Sequence, residues 1–244
     1  MQNNFHELFP KGKVLLGMLH LAGEDLWEKS ERMLGEARSY EEGGFNGVIV
    51  EDYHGGIEDV VFSLSALKKE GLKIPVGINI LKNPYLAFYL ANAYGARFIQ
   101  FDTIQTSPTH SLNPKMFNEQ KFRLLREKYP AICVLGGIRF KYVPPTGRSL
   151  EEDVKDGISK ADAIVTTGEG TGIATPTQKL IDFRRVMGDF PLIVGAGVND
   201  QNIIEQMNIA NGAIIGSYVK GGDTEAIVQR DLIRKLVGLV RGSS

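Results

Sequence analysis

Short apolar runs alternate with longer amphipathic stretches along this chain, and the alternation repeats eight times. Val14 to Leu19 is a continuous apolar run with one glycine, followed by a helical stretch from about Asp25 to Glu42 that Gly43-Gly44 ends as a glycine C-cap does. Val48 to Val50 comes next, then a helix from Ile57 to Glu70 closed by Gly71. Pro75 to Ile80 is the third run, and Pro84 opens a helix where its missing N–H costs nothing. Arg97 to Phe101 leads through a longer polar loop to a helix from about Lys115 to Tyr129. After Ala131 to Leu135, a loop carrying Pro144-Pro145-Thr146-Gly147 reaches Ser149, and Glu152 stands three residues on, the spacing of a capping box. Ala163 to Thr166 precedes a helix from about Pro176, and Pro191 to Val194 precedes one capped by Asn199 or Asp200. Ala213 to Ile215 and a final helix from Asp223 to Val240 complete the series.

Strands that read as unbroken Val/Ile/Leu runs are those covered on both faces. Eight such β–α units predict a single (β/α)₈ barrel of the phosphate-binding type, one domain over residues 1–244 with 1–12 as an N-terminal extension. The length of 244 residues agrees with the ~250 common for that fold. A doubly wound open sheet is the runner-up, but the glycine fingerprint after its first strand is missing.

Composition removes several classes of function. With 28 basic against 29 acidic side chains the formal net charge is −1, so the chain has no electrostatic footprint for nucleic acid or for an anionic membrane surface. Cys133 is the only cysteine; no internal disulfide can form, and its apolar neighbours mark it as a small buried hydrophobe. Met1 to Pro10 lacks a secretory pattern, and no apolar run reaches the ~18 residues of a membrane span, so the expectation is a cytoplasmic protein without membrane insertion.

In a barrel of this kind the residues just beyond each strand face the substrate. Glycines after the last two strands, Gly195 and Gly197, then Gly216 with Ser217, let backbone N–H groups approach an anion, and Gly172 in the sixth loop offers a third wall. These five residues are the expected phosphate site; the alternative is that the glycines only make tight turns. Asp102 at the end of the fourth strand and Glu51 at the end of the second are the candidate base and acid, with His20 and Asn79 orienting substrate. Glu51 and Asp52 alternate in direction, so one of them enters the mouth. Asp102 could equally be an acceptor for loop N–H groups, and His20 a hydrogen-bonding partner across the barrel. Asp52, Lys82, Asn83, Arg139, Lys141 and Thr166 are further substrate-contact candidates, Arg139 to Tyr142 forming either a lid or an exposed loop. A Schiff base on Lys82 or Lys141 would need desolvation. Carboxylates with one imidazole also suit a divalent metal, although no local ligand spacing supports one, and no cofactor is otherwise indicated. Phe5 and Phe9 read as exposed apolar residues through which a homo-oligomer could form.

Leu19-His20-Leu21, Gly47 to Asp52, Val76 to Asn83, Val194-Gly195-Ala196-Gly197-Val198 and Ile214 to Lys220 resemble the BtpA family, which includes SgcQ-like proteins, in order from about Val14 to Lys220. The resemblance implies a phosphate-binding barrel. It also implies a family known for a role in photosystem I accumulation in cyanobacteria and for a sugar-utilisation context in other bacteria. After the fifth strand the family commonly carries an Asp and a Lys-His pair, where this chain has Gly136-Gly137-Ile138-Arg139-Phe140-Lys141-Tyr142. The expected function is an enzyme acting on a small phosphorylated metabolite, a sugar phosphate or nucleoside-derived compound, by isomerisation, epimerisation or lysis. A non-catalytic assembly factor and a metal-dependent hydrolase are the alternatives.

Overall fold

In the computed structural model, which describes residues 3–10, 12–106 and 117–242, every one of the eight apolar runs is a strand. β1 (Val14–Leu19), β2 (Gly47–Glu51), β3 (Val76–Asn79), β4 (Phe98–Phe101), β5 (Cys133–Gly137), β6 (Ala163–Thr166), β7 (Leu192–Val194) and β8 (Gly212–Ile215) pair in parallel and in chain order. β8 closes on β1 through the register Val14 with Gly212 to Gly17 with Ile215. The helices are α1 (Asn4–Leu8), which precedes the barrel, then α2 (Leu26–Gly43), α3 (Ile57–Glu70), α4 (Leu86–Tyr94), α5 (Glu119–Lys128), α6 (Leu150–Ile158), α7 (Thr177–Met187), α8 (Ile203–Ile209) and α9 (Arg230–Gly242). The chain is thus a (β/α)₈ barrel. No helix among the described residues is long and apolar enough to cross a membrane.

Strand alternation sorts the core into two clusters. Leu16, Met18, Ile49, Phe98, Cys133, Leu135, Val165, Ile193 and Ile214 fill the barrel interior, while their neighbours Leu15, Val50, Ile78, Ile99, Val134, Ile164, Val194 and Ile215 face the helices. Cys133 is buried, and burial pushes its thiol up. The same alternation overturns the reading of two glycines and one threonine. Gly136 and Gly137 belong to β5 rather than to its loop, and Thr166 shares the outward parity of Ile164, fully buried away from the barrel mouth.

Phe5 and Phe9 are not exposed: both are buried, at 2% and 7% exposure. They pack on each other and on Phe98 at the N-terminal end of the barrel, in the interior cluster. Their sequence neighbourhood is polar because the turn of α1 is pinned by hydrogen bonds. Asn4 N–H and Asn3 Nδ2 both donate to Asp162, and Asn4 Nδ2 donates to the Pro130 carbonyl. Phe5→Ala removes a ring from a filled core, a change that costs roughly 3–5 kcal/mol. At about 2–4 °C per kcal/mol for a chain of this size, the thermal melt is expected to fall by about 6–20 °C. A shift under about 2 °C would show that α1 is not part of the core.

Two helix starts differ from the pattern. α9 begins at Arg230, not Asp223, because the Asp223 carboxylate accepts from Glu225 N–H in a turn and Gly221 and Gly222 take positive φ. α5 begins at Glu119 behind Asn118, whose side chain caps it by accepting from Lys121 N–H; the expected start at Lys115 lies outside the described residues. The capping box of Ser149 and Glu152 forms as spaced. Asn199 accepts from Gln201 and Asn202 N–H in the turn that leads into α8.

Candidate active site

The inward positions at the strand C-termini form a ring that is chemically lopsided. β1 to β4 contribute His20, Glu51, Asn79, and Gln100 with Asp102; β5, β7 and β8 contribute Gly137, Gly195 and Gly216, with Thr167 following β6. The ring surrounds a cavity whose walls include His20, Glu51, Gln100 and Asp102 together with Lys141, Gly172, Gly195, Gly197, Gly216 and Ser217. Close approach explains two of these glycines. A Cβ on Gly137 would overlap the Asp102 carbonyl oxygen, and Gly197, at φ +65°, lies against the backbone of Ala174, which draws the loops after β6 and β7 together.

Asn79 joins the two carboxylates. Its Nδ2 donates to Glu51 Oε1 at 2.7 Å and to Asp102 Oδ1 at 3.1 Å, and Gln100 Nε2 donates to the same Asp102 oxygen at 3.0 Å. Burial raises both carboxyl groups, but their surroundings separate them. Asp102 is stabilised as the anion by two amide donors, whereas burial and then the charge of Asp102 push Glu51 up to about 8. The charge of Asp102 acts on Glu51, so Asp102 is the first of the pair to release its proton and Glu51 is the one that keeps a proton toward a pH of about 8. Burial, and next the charge of Lys220, push His20 down to about 3, so its imidazole is neutral; Nε2 lies 3.9 Å from Glu51 Oε2 and Nδ1 has no hydrogen-bond partner among the described residues. Because Asn79 places an N–H donor between the carboxylates where a cation would have to sit, the set does not fit the divalent metal considered from sequence. Among the described residues, no three of His, Cys, Asp and Glu converge to hold one.

The β5 loop brings a cation to the cavity. Arg139 and Tyr142 take positive φ, of 49° and 61°, and bracket Phe140 and Lys141, both of which line the wall. Lys141 N–H donates to Thr167 Oγ1 at 2.6 Å and its Nζ to Thr171 Oγ1 at 2.9 Å. Arg139 does not join it: Nε donates to the buried carboxylate of Asp153 at 3.0 Å and Nη2 to the Arg148 carbonyl. Asp52 also turns away and accepts from Leu81 N–H at 2.7 Å. Lys82 and Asn83 stand beside the mouth, in a separate hollow past β3. Thr166 lies behind the wall, as its outward parity requires.

Four contributors were not singled out from sequence. Gln100 precedes Asp102 by two residues, so strand alternation alone would have brought it to the same face. Tyr53 and Thr171 meet across the mouth at 3.5 Å, and Thr171 N–H donates to Tyr142 Oη at 3.1 Å. Lys179 on α7 donates to the carbonyls of Arg139 and Thr167, tying the β5 and β6 loops together, and burial pushes it down to about 8. Nothing local in the sequence marks a helix lysine for that task.

Comparison with known proteins places the chain among similar ones. The model of the BtpA family matches residues 11–242. An uncharacterised protein of Pyrococcus horikoshii is 31% identical over 94% of this chain and 96% of its own length. The photosystem I biogenesis protein BtpA of Synechocystis is 27% identical over 91% of this chain and 86% of its own. Among solved structures, a thiamine phosphate pyrophosphorylase of Pyrococcus furiosus superposes with a TM-score of 0.65 at 13% identity, covering 95% of this chain and 96% of that one. A phosphoribosylanthranilate isomerase of the same organism gives 0.61 at 17%, covering 94% and 99%. Likeness at these identities establishes the shared barrel alone.

Proposed function

We propose, for a chain that belongs to the BtpA family, that it is an enzyme acting on a small phosphorylated metabolite by carboxylate acid/base chemistry. One observation carries this reading: Asn79 donates at once to Glu51 and to Asp102, two buried carboxyl groups beside a glycine-walled cavity. Two carboxyl groups held in opposite protonation states are a base and an acid ready at the same pH. Asp102 takes a proton from a carbon next to a carbonyl or imine. Glu51 supplies one to the oxygen or nitrogen where charge develops, and neutral His20 orients that group. Isomerisation and epimerisation share this first step; in aldol-type cleavage Asp102 takes instead the proton of the hydroxyl β to the carbonyl, the carbon–carbon bond breaks, and its electron pair passes to the enol that Glu51 protonates. The phosphate is held by the backbone of Gly172, Gly195, Gly197, Gly216 and Ser217 with Lys141 beside them, its Nζ on Thr171, so that binding energy from a remote group positions the reacting carbon. The phosphorylated compounds named in the two solved neighbours support the substrate class by analogy only.

The test is turnover across a panel of sugar phosphates and phosphorylated nucleoside fragments, followed by NMR, with inorganic phosphate as a binding control. Phosphate is expected to raise the melting temperature, and sulfate to occupy the glycine wall in soaked crystals. An unshifted melt together with an empty wall would sink the reading. A second reading, a non-catalytic assembly factor, is supported by the name of the Synechocystis relative. It predicts that Asp102→Asn complements a deletion strain in full, whereas the enzyme reading predicts that it does not.

A further inference from the structure

Asp102 is shared by two cavities. One is the glycine-walled space; the other, of about 530 Å³, lies beside the β3–α4 connection, with Thr103 after β4 and Lys121 on α5 among its walls. Leu81 also lines both, so the two spaces are neighbours with Asp102 and Leu81 on their common border. Among the described residues the second is lined by Asn79, Lys82, Asn83, Tyr85 and Lys121 in addition to Asp102. Lys121 is held against this wall: its Nζ lies 4.5 Å above the centre of the Tyr85 ring, and the Tyr85 hydroxyl is fixed in turn by Asn118 N–H at 2.6 Å. Two lysines thus line a hollow whose single carboxylate among the described residues is Asp102, already engaged by Asn79 and Gln100.

A hollow with that balance of charge collects an anion. We infer that the substrate carries two anionic groups, a phosphate against the glycine wall and a second one, carboxylate or phosphate, held by Lys82, Asn83 and Lys121, with Asp102 beneath the carbons between them. This rests on the phosphorylated substrate proposed above and narrows it: a neutral-ended sugar monophosphate would leave the lysines unanswered. The second group also fixes which carbon lies over Asp102, because a molecule tethered at both ends cannot slide along the cleft.

The experiment is calorimetric titration with alkyl monophosphates, the matching ω-phosphoalkanoates and the matching bisphosphates, over a series of chain lengths. At the best length, a two-ended probe is expected to bind on the order of tenfold more tightly than its monophosphate. Lys82→Met/Lys121→Met, which keeps both apolar stems, should bring that ratio close to one, while Lys82→Arg/Lys121→Arg keeps the preference. Which of the two-ended series shows the preference identifies the second group. Monophosphates that bind with no two-ended advantage, or an advantage that survives in the methionine variant, would overturn the second subsite and leave the phosphate wall standing. Failure of every probe to bind would overturn both.

Discussion

Asp102→Asn is expected to lower kcat/KM by roughly 10²–10⁴-fold, the range lost with a general base, while the protein melts within a few degrees of the wild type. The substitution keeps the shape, and an amide oxygen still accepts from Gln100 and Asn79. What it removes is the ability to take a proton. Asn79 then has no charged partner to set against Glu51, whose upward push comes second from the Asp102 charge. In the wild type, rate should fall above pH about 8, where Glu51 loses the proton it must deliver. A variant that keeps more than about a tenth of wild-type turnover would show that Asp102 is not the base.

Glu51→Gln should abolish much of the activity and yet make the protein more stable in alkali. Glu51 has a folded-state value of about 8 against 4.5 for the free side chain, so between those limits the native state holds a proton that the unfolded chain has released. Stability from this group therefore falls as pH rises, by at most about 1.4 kcal/mol per pH unit. His20 acts in the opposite sense between about 3 and 6.5, since there the unfolded chain holds the proton and the native state does not. The two contributions offset each other from 4.5 to 6.5, and Glu51 acts without that counterweight from 6.5 to about 8. Across that upper window the wild type should lose about 2 kcal/mol that Glu51→Gln retains. Denaturant melts at several pH values read it directly, and parallel stability curves for the two proteins would contradict a protonated Glu51.

Much of this architecture is visible in the chain because its causes are local. Continuous apolar runs mark strands covered on both faces, and β1 and β6 fall on the very residues of their runs. Asp102, Glu51, His20 and Asn79 come together because strand ends in a closed barrel must meet. What escaped depends on contacts far apart in sequence. Phe5 and Phe9 look exposed until the floor of the barrel is seen to need filling, and Arg139 looks like a substrate ligand until Asp153 appears beside it. Thr166 was misplaced for a different reason: in a strand of four residues, one step of parity separates the mouth from the helix layer.

The lopsided ring has a consequence for how this barrel can change. Its glycine half resembles spare room for new side chains, but Gly137 is hemmed in by the Asp102 backbone. Diversity introduced there would be lost to misfolding before any new activity was sampled. Positions 20, 51 and 100 already carry side chains of useful size, so libraries confined to them should fold and trade one chemistry for another. Innovation in this scaffold is channelled through its first four strands, with the glycine half held nearly constant as the handle.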